Sequence, residues 1–128
     1  MTRLLFALPL LLLLAACGGN PKTEAPAATN TPKTEDITAN PDYQAGIAAI
    51  GKNDCLTCHK VDEKLIGPAY RDVANKYAGM PDTIVTHLAH KVMKGGTGVW
   101  GQVPMAPHPN LSEADAVSMV KYILLLKK

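Results

Sequence analysis

The chain has 128 residues, room for one modest domain and some tail, with 13 Lys and Arg against 11 Asp and Glu. That near balance excludes a broad basic field for nucleic acid and an acidic disordered tail. With a single Phe and a single Trp, Phe6 and Trp100, few large side chains are available for a core. So small a domain needs a disulfide, a metal or another staple, and another group is expected to help fill it.

Residues 1–16 read as an export signal. Arg3 supplies the positive start, and Leu4 to Leu14 form an apolar run interrupted by Pro9, well short of the ~20 residues that span a bilayer. Leu14-Ala15-Ala16-Cys17 resembles the bacterial lipobox, in which cleavage precedes a cysteine that is then lipidated. The rival is an ordinary secretory signal with Cys17 incidental, which would leave an odd reactive thiol in an exported protein. Several acyl chains on Cys17 would anchor the chain stably to a bacterial membrane, facing the periplasm or the cell exterior. Gly18, which is not an acidic retention residue, does not name that membrane. Residues 17–40, with Pro21, Pro26 and Pro32 among scattered Thr, Ala, Lys and Glu, show no helical or alternating pattern. They read as a flexible tether with a reach of about 25 Å.

From residue 41 to 128 the pattern is all-helical. Asn40-Pro41 is a helix start, because Pro in the first turn gives up no needed hydrogen bond. Tyr43, Ile47 and Ile50 follow at helical spacing, and the helix should run towards Cys55. A short second helix is expected over Ala69 to Tyr77, ending near Gly79. Asp82 is expected to cap a third, with Ile84, Leu88 and Val92 on its apolar face and Gly95-Gly96 ending it. Ser112 and Asp115 form a capping-box-like pair before a last helix whose inward stripe is Val117, Val120, Ile123 and Leu124. No stretch offers sustained β alternation. Gly95 to Asn110 is expected to be a long Gly- and Pro-rich loop, of the kind that is functional in compact domains.

Cys55-Leu56-Thr57-Cys58-His59 matches the c-type haem attachment motif. Thiols three residues apart lie on one side of a helical turn. They can add to the two vinyl groups on one edge of a porphyrin, and His59 can then swing beneath the ring to the iron. Three rivals are weaker. A thioredoxin-like pair lacks its βαβ setting. A zinc site with His87 and His90 has only two residues between the histidines. A local disulfide is the third.

The sixth position of such an iron has several candidates downstream: Met80, Met93, Met105, Met119, His87, His90 and His108. Met93 and Met119 fall in expected helices, where Met is usually a core filler. Met80 sits in Gly79-Met80-Pro81. Met105 is better placed, between Pro104 and Pro107, whose fixed φ stiffens the segment that presents the thioether.

Cys55 to His59, Ile66-Gly67-Pro68-Ala69-Tyr70, Gly98-Val99-Trp100-Gly101 and Pro104-Met105 occur in this order. Together they resemble the short class I bacterial cytochromes c that deliver electrons to oxidases and nitrite reductases, over Asn40 to Lys128. The resemblance implies about four helices around one covalently bound haem c, with His59 as proximal and Met105 as distal ligand. It also implies that the Pro68 carbonyl accepts a hydrogen bond from the His59 ring, and that Trp100 stands near a haem propionate. A packed core aromatic is the plainer account of Trp100. The family often places Asn three residues after the ligand methionine; here the position holds His108, which is expected to make the potential pH-dependent.

The function expected is outer-sphere electron transfer by a monomeric carrier, not an enzyme, between redox partner proteins, with the N-terminal lipid as its membrane contact. Lys52, Lys60, Lys64, Lys91 and Lys94 are candidates for steering it onto an acidic partner, or ordinary solvated charge. A haem sensor with a labile distal ligand is the rival class. A peroxidase-like enzyme is weaker, for want of a distal acid/base set.

Overall fold

A computed structural model describes residues 36–128; the signal, Cys17 and the tether up to residue 35 lie outside the described residues. A 3-10 turn at Ile37–Ala39, capped by the Asp36 side chain, precedes the first helix, and Ile37 packs against the core. Four helices follow: α1 (Pro41–Gly51), α2 (Tyr70–Lys76), α3 (Thr83–Lys94) and α4 (Glu113–Leu125). Between α3 and α4 lie two short strands, β1 (Gly96–Gly98) and β2 (Gly101–Met105).

The caps show why these helices start where they do. Asn40 accepts a hydrogen bond from the Asp42 amide at 2.8 Å, with Pro41 in the first turn. Ser112 accepts from the Asp115 amide at 3.1 Å and donates to its carboxylate at 2.8 Å. Asp82 departs from expectation. It precedes α3 but its own backbone is already helical, and its side chain makes no capping bond.

α1 and α4 form the tightest crossing. A Cβ on Gly46 would lie 2.2 Å from the Tyr122 Cβ and 2.3 Å from the Ser118 carbonyl oxygen, so the helices approach almost backbone to backbone. Gly46, Ala49 and Ile50 are the buried face of α1, whereas Ile47 is 40% exposed. The apolar spacing therefore misplaced Ile47: small residues, not branched ones, let α4 come close. Tyr43 meets Tyr122 edge-on at 5.0 Å between ring centres, and the core continues through Tyr70, Ala74, Met119, Ile123 and Leu126. On the other side of α4, Ala116 and Val120 pack on Leu88 and Ala89 of α3. Fully burying a side chain such as Val120 stabilises the fold by about 1.5–3 kcal/mol. Arg71 ties α2 to the chain end, pairing with Asp62 and donating to the Leu126 carbonyl.

The segment expected as a plain loop is a small antiparallel hairpin in which Gly96 pairs with Met105 and Gly98 with Gly101. Its strand residues are exposed apart from half-buried Met105. With no buried face there is no alternation to read.

Candidate haem-attachment site

Cys55 lies in, and Cys58 caps the end of, a 3-10 turn, Asp54–Thr57, that follows α1. The amides of Cys58 and His59 both bond the Cys55 carbonyl, at 3.2 and 3.0 Å. With three residues per 3-10 turn, side chains at i and i+3 eclipse, so both thiols leave the turn on one side. Both are free and half-buried. Burial pushes the Cys55 thiol above its ordinary value, and the Asp54 carboxylate adds to that shift. A redox dithiol needs the opposite, a depressed pKa, so the thioredoxin-like account fails on chemistry as well as on topology.

His59 is oriented by its surroundings. Its Nδ1 stands 2.8 Å from the Pro68 carbonyl oxygen. A carbonyl only accepts, so Nδ1 carries the proton and Nε2 keeps a free lone pair. The Tyr70 ring stacks on the imidazole at 5.4 Å and 18°. A Cβ on Gly67 would meet His59 Cε1 at 2.3 Å, so only glycine leaves room for the ring there. Backbone bonds lock the segment: the Gly67 amide to the Cys58 carbonyl at 2.9 Å, Tyr70 to Lys60 at 2.9 Å and Arg71 to Val61 at 3.0 Å.

Met105 ends β2, half-buried, and its backbone rests on Gly95. A Cβ on Gly95 would lie 2.4 Å from the Met105 carbonyl oxygen, and the residue has φ 64° and ψ −148°. His108 draws the loop end back: its amide bonds the Met93 carbonyl at 2.9 Å, and its Nε2 lies 3.4 Å from Asp54. Trp100, in the hairpin turn, is 39% exposed with the Lys76 ammonium 5.5 Å from its ring centre. That placement is not a packed core aromatic.

The other candidate ligands lie elsewhere. Met119 is buried in the core at 2% exposure, Met93 packs against the α3–α4 cluster, and Met80 is half exposed before α3. His87 and His90 face solvent on α3, His90 lying 3.9 Å from Glu113. Among the described residues no group of three or more His, Cys, Asp or Glu converges on a metal position, so the zinc reading has no geometry. The Lys91 ammonium donates to the Thr97 carbonyl at 2.6 Å, which fixes its position and leaves its charge unneutralised. Three contacts had gone unassigned in the sequence: the stacking of Tyr70, the clearance at Gly67 and the seat at Gly95. The two glycines and Tyr70 stood inside segments already singled out, Gly95 as the end of α3, but nothing in spacing gave them a role at the site.

The donor set fits a flat apolar cofactor held by thioethers. Two thiols leave one turn, and an imidazole is held with Nε2 free. Leu56, Leu65 and Ile66 beside the cysteines, and Val99 and Val103 in the hairpin, are 45–67% exposed apolar side chains suited to covering such a ring. The class so defined is a small helical protein with covalently attached haem.

Residues 43–127 match the family model for cytochrome c. The chain is 48% identical over 84 residues to cytochrome c-552 of Nitrosomonas europaea, covering 66% of this chain and 81% of that one. It is 51% identical over 73 residues to cytochrome c-552 of Hydrogenobacter thermophilus, covering 57% and 72%. The crystal structure of wild-type Nitrosomonas europaea cytochrome c552 superposes with a TM-score of 0.59 at 47% identity, over 63% of this chain and 99% of that one. The chain belongs to the cytochrome c family, among its small class I monohaem members. It is accordingly an electron-transfer haem protein carrying haem c through a Cys-x-x-Cys-His run, of which Cys55–His59 is the chain's single example.

Proposed function

We propose that the chain is a one-electron carrier with Cys55 and Cys58 as thioether positions and His59 and Met105 as axial ligands. The observation that carries the reading is the 2.8 Å contact of His59 Nδ1 with the Pro68 carbonyl, which commits one ring nitrogen and leaves Nε2 to a metal. Bound haem c supplies an iron that alternates between ferric and ferrous. Met105 offers a neutral thioether, which raises the potential relative to a second histidine. The Pro68 contact and the Tyr70 stack keep the proximal ring in one orientation, so little reorganisation accompanies electron transfer. Trp100 would donate its indole N–H to a propionate. Exposed Lys52, Lys60, Lys64 and Lys94 are the candidates for steering an acidic partner, a donor on one side and a terminal oxidase or reductase on the other. The carrier is a monomer, exported and tied by lipidated Cys17 to a bacterial membrane.

Absorption spectra of the purified holoprotein, with and without carbon monoxide, test this reading. A methionine-to-ferric charge-transfer band and no carbon monoxide binding at neutral pH are expected. Ready binding would overturn the closed site and favour a sensor with a labile distal ligand.

A further inference from the structure

His108 stands three residues beyond Met105, where the distal loop turns back over the end of α3. Its amide donates to the Met93 carbonyl, its Nδ1 lies 3.3 Å from the Val92 carbonyl, and its Nε2 lies 3.4 Å from Asp54 Oδ1. Val92 and Met93 belong to the last turn of α3, whose carbonyls lack partners within the helix. Asp54 begins the turn that carries both cysteines. One side chain therefore touches both segments that frame the site.

The partners dictate how the ring behaves on protonation. Nδ1 faces a carbonyl and must carry a hydrogen to bond it. In the neutral ring, Nε2 then turns a lone pair towards a carboxylate, and that contact is repulsive. In the imidazolium Nδ1 still donates to the carbonyl, and the ring charge faces the carboxylate as an ion pair. The charges around the ring are few. The ring faces the Asp54 carboxylate and the carbonyl end of α3. Against them stand Lys91 and Lys94 in the same last turn, with the Lys91 ammonium already held by Thr97. Between Met105 and Ser112, His108 is the only titratable residue.

We propose that His108 and Asp54 form a proton-dependent clasp that closes the Met105 loop onto the Cys55–Cys58 turn, making His108 a positioning residue for the distal ligand. The clasp rests on the reading of Met105 as that ligand. Protonated, it is closed and sets a cation beside the site; both effects raise the potential. As pH rises the ring loses its proton, the clasp opens and the potential falls. Asp54 is 82% exposed on its side chain, so added salt weakens the effect.

The test is a redox titration of the holoprotein from about pH 5 to 8, at low and high salt, with H108N, D54N and the double variant. D54N is nearly isosteric and leaves the turn able to fold. The wild-type potential is expected to fall through the imidazole range. Each single variant removes the same component of that fall, and the double variant removes no more than either. High salt shrinks the component. The urea concentration that abolishes the methionine band is expected to be lower at pH 8 than at pH 5 in the wild type, and equal at both in D54N. A flat wild-type potential, or a pH slope unchanged in either single variant, overturns the clasp. Absence of the methionine band at pH 5 together with ready carbon monoxide binding overturns the Met105 assignment instead, so the two failures are told apart.

Discussion

His59 and Met105 face the same task from opposite kinds of support. His59 is held at Nδ1 by Pro68, across its face by Tyr70, and at its edge by the space Gly67 leaves. All three come from residues within a dozen positions of it, in a segment stitched to the start of α2 by backbone hydrogen bonds. Met105 sits at the end of a hairpin with no buried face. Its support is a glycine under its carbonyl, a loop end bonded to α3, and contacts to Asp54 and Lys76 from distant parts of the chain. The proximal side is built into the fold, whereas the distal side is fastened onto it. Substitutions that leave haem attached should therefore disturb the methionine before the histidine.

Gly95→Ala is expected to give the largest break in that comparison. The added Cβ meets backbone, 2.4 Å from the Met105 carbonyl oxygen and 2.8 Å from Pro107 N. The backbone at Gly95 also lies in a region that only glycine adopts freely, which costs another residue about 1–3 kcal/mol. Overpacking adds about 1–3 kcal/mol. The holoprotein should keep covalent haem yet lose its methionine charge-transfer band and bind carbon monoxide at neutral pH. An unchanged band would show that the loop does not rest on Gly95.

Gly67→Ala tests the other side and should do less. Its Cβ would press on the ring, 2.3 Å from Cε1 and 2.7 Å from Nδ1 of His59. The imidazole must tilt and weaken its bond to Pro68, at a combined cost of about 1–3 kcal/mol. Urea unfolding should register that loss, and the His59 Nδ1–H resonance should exchange faster with solvent. The methionine band should survive at neutral pH. If both ligands are disturbed together, the two sides are mechanically coupled and the contrast drawn above is wrong.

The proximal side was the more legible in the sequence because its parts are local. The cysteines and His59 fall within five consecutive positions, and Pro68 and Tyr70 follow within eleven more. The Ser112 cap was equally readable, since caps act over one turn. The α4 stripe was readable in part, with Val120 and Ile123 buried, Val117 and Leu124 only half-buried, and Ala116, Met119 and Tyr122 completing the face. What escaped depends on contacts between segments distant in the chain. Ile47 obeys the helical spacing yet faces outward, because the approach of α4 selects Gly46. The hairpin escaped because the chain reverses between Gly98 and Gly101, with positive φ at Gly101, where no strand has an inner face. The Asp54–His108 contact spans 54 positions and leaves no local trace in composition.

Lys76→Ala should produce the smallest effect and sharpen the comparison most narrowly. Lys76 closes α2, the helix that begins just after the His59 support, and its ammonium lies 5.5 Å from the Trp100 ring centre. This contact thus runs from the proximal framework to the hairpin turn without passing through the ligands. An exposed cation–π pair contributes about 0.5–1 kcal/mol, too little to displace a methionine. It is enough to change local opening, which draws on the weakest units of a structure first. Amide hydrogen exchange of Gly98 to Gln102 should quicken about two- to fivefold, as that energy implies, while the Gly67 and Tyr70 amides keep their rates. The potential should hold unless Trp100 needs Lys76 to stay in place. A hairpin that exchanges no faster would mean that β1–β2 pairing alone sets the position of Trp100, and the distal side would then be less dependent on remote contacts than its exposure implies.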